Sequence, residues 1–128
     1  MTGEEIKIRM NCIDAPEMKQ EGGKESRDFL QSMLPDNQEV ILMIAEKDQY
    51  GRSVAEVYVP KPNSREETAV NGEMVRAGHA HFYERYKSSC PDNAEMYEVW
   101  EEAAIANRSG VWSSGNPERP WDFRRRNK

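Results

Sequence analysis

The sequence predicts an α+β domain. Three observations carry the prediction: strict apolar–polar alternation near the N-terminus, two further β-type runs flanking a turn-forming segment, and apolar residues at helical spacing in the second half of the chain. With 128 residues, no internal repeat and no linker, the chain reads as one domain with a modest core.

Ile6, Ile8, Met10 and Cys12 alternate with Lys7, Arg9 and Asn11, so residues 5–13 read as a half-buried strand. The second set faces away from the core. Pro16 ends the strand, because it has no N–H for a ladder. Gly22-Gly23 open a loop, and residues 24–34 fit a helix burying Phe29, Leu30, Met33 and Leu34 before Pro35-Asp-Asn37 stops it. The apolar run Val40-Ile-Leu-Met-Ile44 marks a buried strand over 38–45, and Val54, Val57, Tyr58 and Val59 mark another over 52–59. Lys47-Asp-Gln-Tyr-Gly51 between them carries turn chemistry and predicts a hairpin. Residues 60–68 are a polar loop, and 69–77 a short helix ended by Gly78. A longer helix over 92–107, capped by Asp92 or Asn93, aligns Met96, Tyr97, Trp100, Ala103 and Ala104 on one face, and Gly110 closes it.

Composition narrows the class. Charged residues are 32% of the chain and hydrophobic ones 37%, as expected of a globular protein with a polar surface. No stretch approaches the ~20 apolar residues of a membrane span, and no signal peptide is visible. The formal net charge of −5 argues against a high-affinity nucleic-acid scaffold, which normally displaces counterions with a basic excess. It is compatible with an enzyme that has a local basic pocket and must release its product. Cys12 and Cys90 lack metal-ligand spacing; they read as two buried thiols, with a disulfide left open, and do not settle the compartment.

Two short signatures carry chemistry: Arg9-Met-Asn-Cys-Ile-Asp14-Ala-Pro-Glu17 and Asp48-Gln-Tyr-Gly-Arg52. Asp14 and Glu17 flank Pro16, whose fixed backbone can aim both carboxylates into one pocket. Carboxylate and carbonyl oxygens suit a hard cation such as Ca²⁺ or Mg²⁺. Arg9 and Arg52 offer the planar, two-pronged donors that fit a phosphodiester. Taken singly, each of the four is also what a solvated turn or hairpin flank displays. His79 and His81 alternate with Ala80 and Phe82 and can share a strand face; with no third ligand at a suitable spacing, a structural or surface role is expected. Tyr83 and Tyr86 lie among Arg76, Arg85 and Lys87, a pattern suited to stacking on a nucleobase and equally to edge packing. Arg124-Arg-Arg126 and Lys128 form a basic tail of the kind that is often solvated but can hold a phosphate backbone, with Trp121 and Phe123 docking it.

These motifs, in order and spacing, resemble the staphylococcal-nuclease-like (thermonuclease) domain. The resemblance runs over residues 3–112, with 113–128 as a Pro/Trp/Arg-rich C-terminal tail. It rests on Arg9…Asp14-Ala-Pro-Glu17, Asp48-Gln-Tyr-Gly-Arg52, Val70-Asn71…Met74-Val-Arg-Ala-Gly78…Ala80, Gly78-His-Ala-His-Phe-Tyr83-Glu-Arg-Tyr86 and Asn107-Arg-Ser-Gly-Val-Trp112. It implies an OB-type β-barrel with capping helices and Ca²⁺-dependent hydrolysis of DNA and RNA to 3′-phosphate products. By the same resemblance Asp14 and the backbone carbonyl of Ala15 hold the metal, Glu17 positions or deprotonates water, Arg9 and Arg52 stabilise charge on the phosphoryl group, and Tyr83 and Tyr86 flank the nucleotide.

Members of this family begin with two further strands and a turn that supplies another metal carboxylate. The present sequence starts at what resembles the third strand, so weaker catalysis and association of copies through the exposed edge are expected of it. A secreted or cell-envelope location is compatible with the resemblance. The alternative function is a non-catalytic nucleic-acid or protein-binding module of the same fold.

Overall fold

The computed structural model describes residues 3–128, apart from the side chains of residues 86–88. Six strands and four α-helices alternate along it: β1 (Ile8–Met10), β2 (Ile13–Asp14), α1 (Gly23–Met33), β3 (Ile41–Lys47), β4 (Ser53–Pro60), β5 (Glu67–Ala69), α2 (Val70–Arg76), β6 (His81–Phe82), α3 (Ala94–Ala106) and α4 (Pro120–Arg126). Two 3₁₀ turns, Glu84–Ser89 and Gly110–Ser114, flank α3. The α+β class is as expected.

β4 is the central strand. It pairs in parallel with β1, with Arg9 opposite Val54, and antiparallel with β3 and β5. The predicted β3–β4 hairpin is present, with a register shift between Ile44 and Glu46. β2 and β6 form a separate antiparallel pair, Asp14 opposite His81. Among the described residues the strands form open sheets and do not close on themselves.

The core gathers Cys12, Ile13, Met74, Val75, Ala80, Phe82, Cys90 and Tyr97, with Phe29, Leu30 and Met33 of α1 packed against it. Phe82 stacks on Tyr97 at 5.9 Å, and Trp100 meets Tyr97 edge-on. The backbones at Gly78 and Gly110 pass so closely that a Cβ on Gly78 would collide with the Ser109 carbonyl and one on Gly110 with the Gly78 carbonyl, and Val111 N–H donates to the Gly78 carbonyl at 2.9 Å. That contact ties the end of α2 to the segment leading into α4.

Several expectations need correction. The apolar run of β3 is not buried: Met43 is 62% and Ile44 54% exposed, because the helices cover the β4 side of the sheet and no described strand pairs with the outer edge of β3. The strand expected over 5–13 breaks at Cys12, which adopts a left-handed φ of 65°, so Asn11 turns inward and is buried rather than facing away from the core. Cys12 and Cys90 are joined as a disulfide, Cα atoms 6.5 Å apart, not left as two thiols. α3 ends at Ala106; Gly110 begins the following 3₁₀ turn instead of closing the helix. Asn93 stands at the N-cap of α3 but gives its amide to Glu56 at 2.8 Å, where the hydroxyls of Tyr58 and Tyr97 also donate. No helix of the described residues is long and apolar enough to cross a membrane.

One buried amide binds three elements. Asn71 on α2 accepts from the Val57 N–H of β4 at 2.9 Å and donates to the carbonyls of Asn11 and Ala55 at 3.0 and 3.3 Å. Replacing it would take this partner from the buried Val57 N–H and the Asn11 carbonyl, while the Ala55 carbonyl would keep the Asn11 N–H at 2.8 Å. Asn71→Leu is therefore expected to lower the unfolding free energy in urea by about 2–4 kcal/mol; a loss within experimental error would contradict this role.

Candidate active site

Backbone geometry places the arginines before any side chain is considered. Arg52 immediately precedes Ser53, the β4 partner of Ile8, so Arg9 and Arg52 emerge beside each other from adjacent strands. Arg52 is held by Asp48: its Nε donates to Oδ2 at 2.7 Å, while Oδ1 accepts the backbone N–H of Tyr50 and of Arg52 at 2.9 and 3.0 Å. Burial opposes the charge on Asp48, but these Arg52 and Tyr50 donors outweigh it and hold the carboxyl below its ordinary range. The turn Asp48–Arg52 thus aims a guanidinium.

The carboxylates come from the other side of the Cys12 corner. β2 delivers Asp14, and the chain then turns at Pro16. Glu17 is fixed by Gln20: its N–H donates to Gln20 Oε1 at 3.1 Å, and its carbonyl accepts Gln20 N–H at 2.8 Å. Gly23, the first residue of α1, sits against that same carbonyl, where a Cβ would collide. Gln20 Nε2 also donates to the Glu118 carbonyl at 2.7 Å, which brings the segment before α4 over the site.

Arg9, Asp14, Ala15, Glu17, Arg52 and Tyr83 line one open cleft of about 640 Å³. The sequence-predicted residues are therefore brought together, except that the Tyr86 side chain lies outside the described residues. The cleft also holds a residue not foreseen. Arg124 of α4 donates from Nη2 to Asp14 Oδ2 at 2.5 Å, and from Nη1 to Asp14 Oδ1 at 3.1 Å and Glu17 Oε1 at 2.8 Å. The basic tail is thus an ordered helix with one arginine seated on both carboxylates. Its hydrogen bond to Asp14, opposed by burial and assisted by Glu17, stabilises the charged form of Arg124. The Arg124 side chain is 44% exposed but Asp14 only 13%, so solvent reaches the guanidinium while the carboxylate beneath it is largely covered. Trp121, three residues earlier, stacks flat on Tyr83 with ring centroids 4.6 Å apart. The signal for both was present: Pro120 is a good first helical residue, and Trp121 and Arg124 stand three apart.

Both carboxylates meet one cationic group, so their oxygens converge on one point. That donor chemistry fits a hard cation. The protein's contribution is small, however: among the described residues no group of three or more His, Cys, Asp or Glu side chains is placed to hold a metal.

The histidines separate. His79 packs on Phe29 of α1 at 4.7 Å. His81 is fully buried, edge-on to Trp112 and Trp121, and neither ring nitrogen has a hydrogen-bond partner. They do not form a metal pair.

The staphylococcal nuclease homologue family matches residues 7–114, which include every residue of the cleft except Arg124. The chain belongs to the staphylococcal nuclease family. It is 39% identical over 126 residues to the micrococcal nuclease of Shigella flexneri, covering 96% of this chain and 70% of that protein. It is 37% identical over 119 residues to the probable staphylococcal-like nuclease CAN2 of Oryza sativa subsp. japonica, and spans only 29% of that protein's length. An uncharacterized endonuclease of Escherichia coli O157:H7 is 35% identical over 121 residues, 94% of this chain and 72% of that protein.

Burial, with a smaller effect from the nearby Arg119 charge, lowers the His81 pKa to about 4. The unfolded chain protonates this histidine near 6.5. His81 therefore contributes fully to stability above pH ~6.5, and the contribution is lost as pH falls toward about 4. Its size is on the order of 3 kcal/mol. Urea unfolding of the wild type and His81→Leu across this range should show a gap that varies with pH; a constant gap would contradict the assignment.

Proposed function

We propose that this chain is a nuclease, a phosphodiester hydrolase acting on DNA and RNA with little sequence preference. The observation that carries the reading is the meeting of two arginines and two carboxylates in one open cleft of a staphylococcal-nuclease-family fold. The micrococcal nuclease name of one relative and the endonuclease name of another support it.

In this reading Arg9 and Arg52 contact the non-bridging phosphoryl oxygens and take up the charge that grows on them. Glu17 accepts a proton from water as the water oxygen bonds to phosphorus. The bond to the 5′ oxygen breaks, that oxygen takes up a proton, and a 3′-phosphate and a 5′-hydroxyl result. Asp14 and the Ala15 carbonyl would hold Ca²⁺, which withdraws charge from the phosphoryl group when bound. Arg124 must leave the two carboxylates for a cation to take its place. Tyr83 supplies an aromatic wall to the nucleotide, and Tyr86 is assigned the same task by resemblance.

The occupation of both carboxylates by Arg124 favours one alternative, a non-catalytic binding module that uses the same cleft without cleaving. The exposed apolar edge of β3 further supports association of two copies there, which would extend the open sheet toward the barrel of the family. The Cys12–Cys90 disulfide supports an oxidising location such as the cell envelope.

Plasmid and RNA degradation with Ca²⁺ or EDTA separates the two functions. Cleavage is expected with Ca²⁺ and not with EDTA, reduced about 10²–10⁴-fold in Glu17→Gln and about 10²-fold or more in Arg9→Lys, since a point charge cannot make the two-pronged contact. Binding without cleavage in the wild type would establish the module instead, and undiminished cleavage in both variants would overturn the residue roles.

A further inference from the structure

We propose that α4 builds a second nucleotide-binding subsite beside the cleft, which takes a flanking segment of a single-stranded nucleic acid. The inference rests on the nuclease reading for its substrate class, but on different residues for its geometry.

The site is a hollow of about 440 Å³ lined by Tyr83, Arg85, Trp121, Arg124, Arg125 and Lys128. Its lining holds four cations, two aromatic rings and no carboxylate. That composition stands out in a chain of net charge −5. Two of the cations are paired from outside the hollow: Asp122 with Arg125 at 3.0 Å, and Asp14 and Glu17 with Arg124. Trp121, Arg124 and Arg125 follow an i, i+3, i+4 spacing, so α4 collects them on one side, and Lys128, just beyond the end of the helix, completes the lining.

Position makes the hollow an extension of the cleft. Tyr83 and Arg124 line both, so the two spaces meet across these side chains. A chain leaving the cleft past Tyr83 encounters an indole stacked at an interplanar angle of 4°, then cations at its rim. Aromatic planes combined with cations that follow a phosphate backbone are the chemistry of single-strand binding, where unstacked bases are available. A duplex keeps its bases stacked on each other and offers only its phosphates.

The test is fluorescence anisotropy with a labelled single-stranded oligonucleotide of roughly 12 nucleotides, in EDTA so that binding is read without cleavage. Arg125→Ala/Lys128→Ala is expected to weaken binding about tenfold and to flatten the salt dependence by about 1.4 in log–log slope, two phosphate contacts at about 0.7 each. Trp121→Leu is expected to weaken it about tenfold while changing the slope little. Lys61→Ala/Arg65→Ala, the same charge change on the exposed loop between β4 and β5, should leave affinity and slope at wild-type values. A duplex of equal length should bind more weakly than the single strand.

Unchanged affinity and slope in Arg125→Ala/Lys128→Ala, an equal loss in the loop variant, duplex binding as tight as single-strand binding, or no binding by the wild type would each overturn the proposal. Failure of the nuclease reading is seen separately, as cleavage indifferent to Glu17→Gln, and leaves these binding outcomes to be read by themselves.

Discussion

Two carboxylates that converge on one point repel each other unless a cation lies between them, and here Arg124 supplies it. Much of the local structure serves this meeting. Pro16 turns the chain between Asp14 and Glu17. Gln20 fixes the Glu17 backbone and reaches the segment before α4. Gly23 lets α1 start against the Glu17 carbonyl. The Gly78–Gly110 contact directs the chain from α2 and α3 toward α4. A guanidinium is a suitable occupant, because it is permanently charged and its planar donors match two carboxylates at once. Its exposed side leaves it open to a competing cation from solvent.

The arginines facing this pair depend on a separate device. β1 and β4 run in parallel, so Arg9 and Arg52 are neighbours across the sheet rather than along the chain. The left-handed corner at Cys12 then carries the backbone from that sheet to the β2–β6 pair, which bears Asp14 and leads directly into Tyr83. The corner is fixed by the disulfide to Cys90 and by the Tyr83 N–H, which donates to the Cys12 carbonyl at 2.8 Å. Cations and anions therefore enter the cleft from different layers, and the net charge of the chain says little about the local field.

Helices α1, α2 and α3 and the hairpin were legible because each rests on local rules of periodicity and turn chemistry, and the cleft quartet because its motifs occur in the order and spacing of a known family. What was not legible depends on distant partners. The Val40–Ile44 run has the composition of a buried strand, yet its burial depends on what lies beside it, and among the described residues its outer edge has no partner strand. Asn11 follows the alternation of an exposed residue until Cys12 reverses the backbone. Cys12 and Cys90 are 78 residues apart, and spacing alone did not decide between thiols and a disulfide. Arg124 lies 110 residues from Asp14, inside a run of like charges that usually reads as solvated. Only the fold shows which arginine of that run turns inward.

Asp14 and Glu17 converge on Arg124, and in the proposed reaction that guanidinium gives way to Ca²⁺ held by Asp14 and the Ala15 carbonyl, with Glu17 beside it as the base. Calorimetric titration of Ca²⁺ into the wild type, Asp14→Asn and Arg124→Ala tests this exchange most directly. Asp14→Asn should abolish binding, and Arg124→Ala should tighten it because the competing guanidinium is gone. Equal Ca²⁺ affinity in all three proteins, or weaker binding in Arg124→Ala, would contradict the exchange.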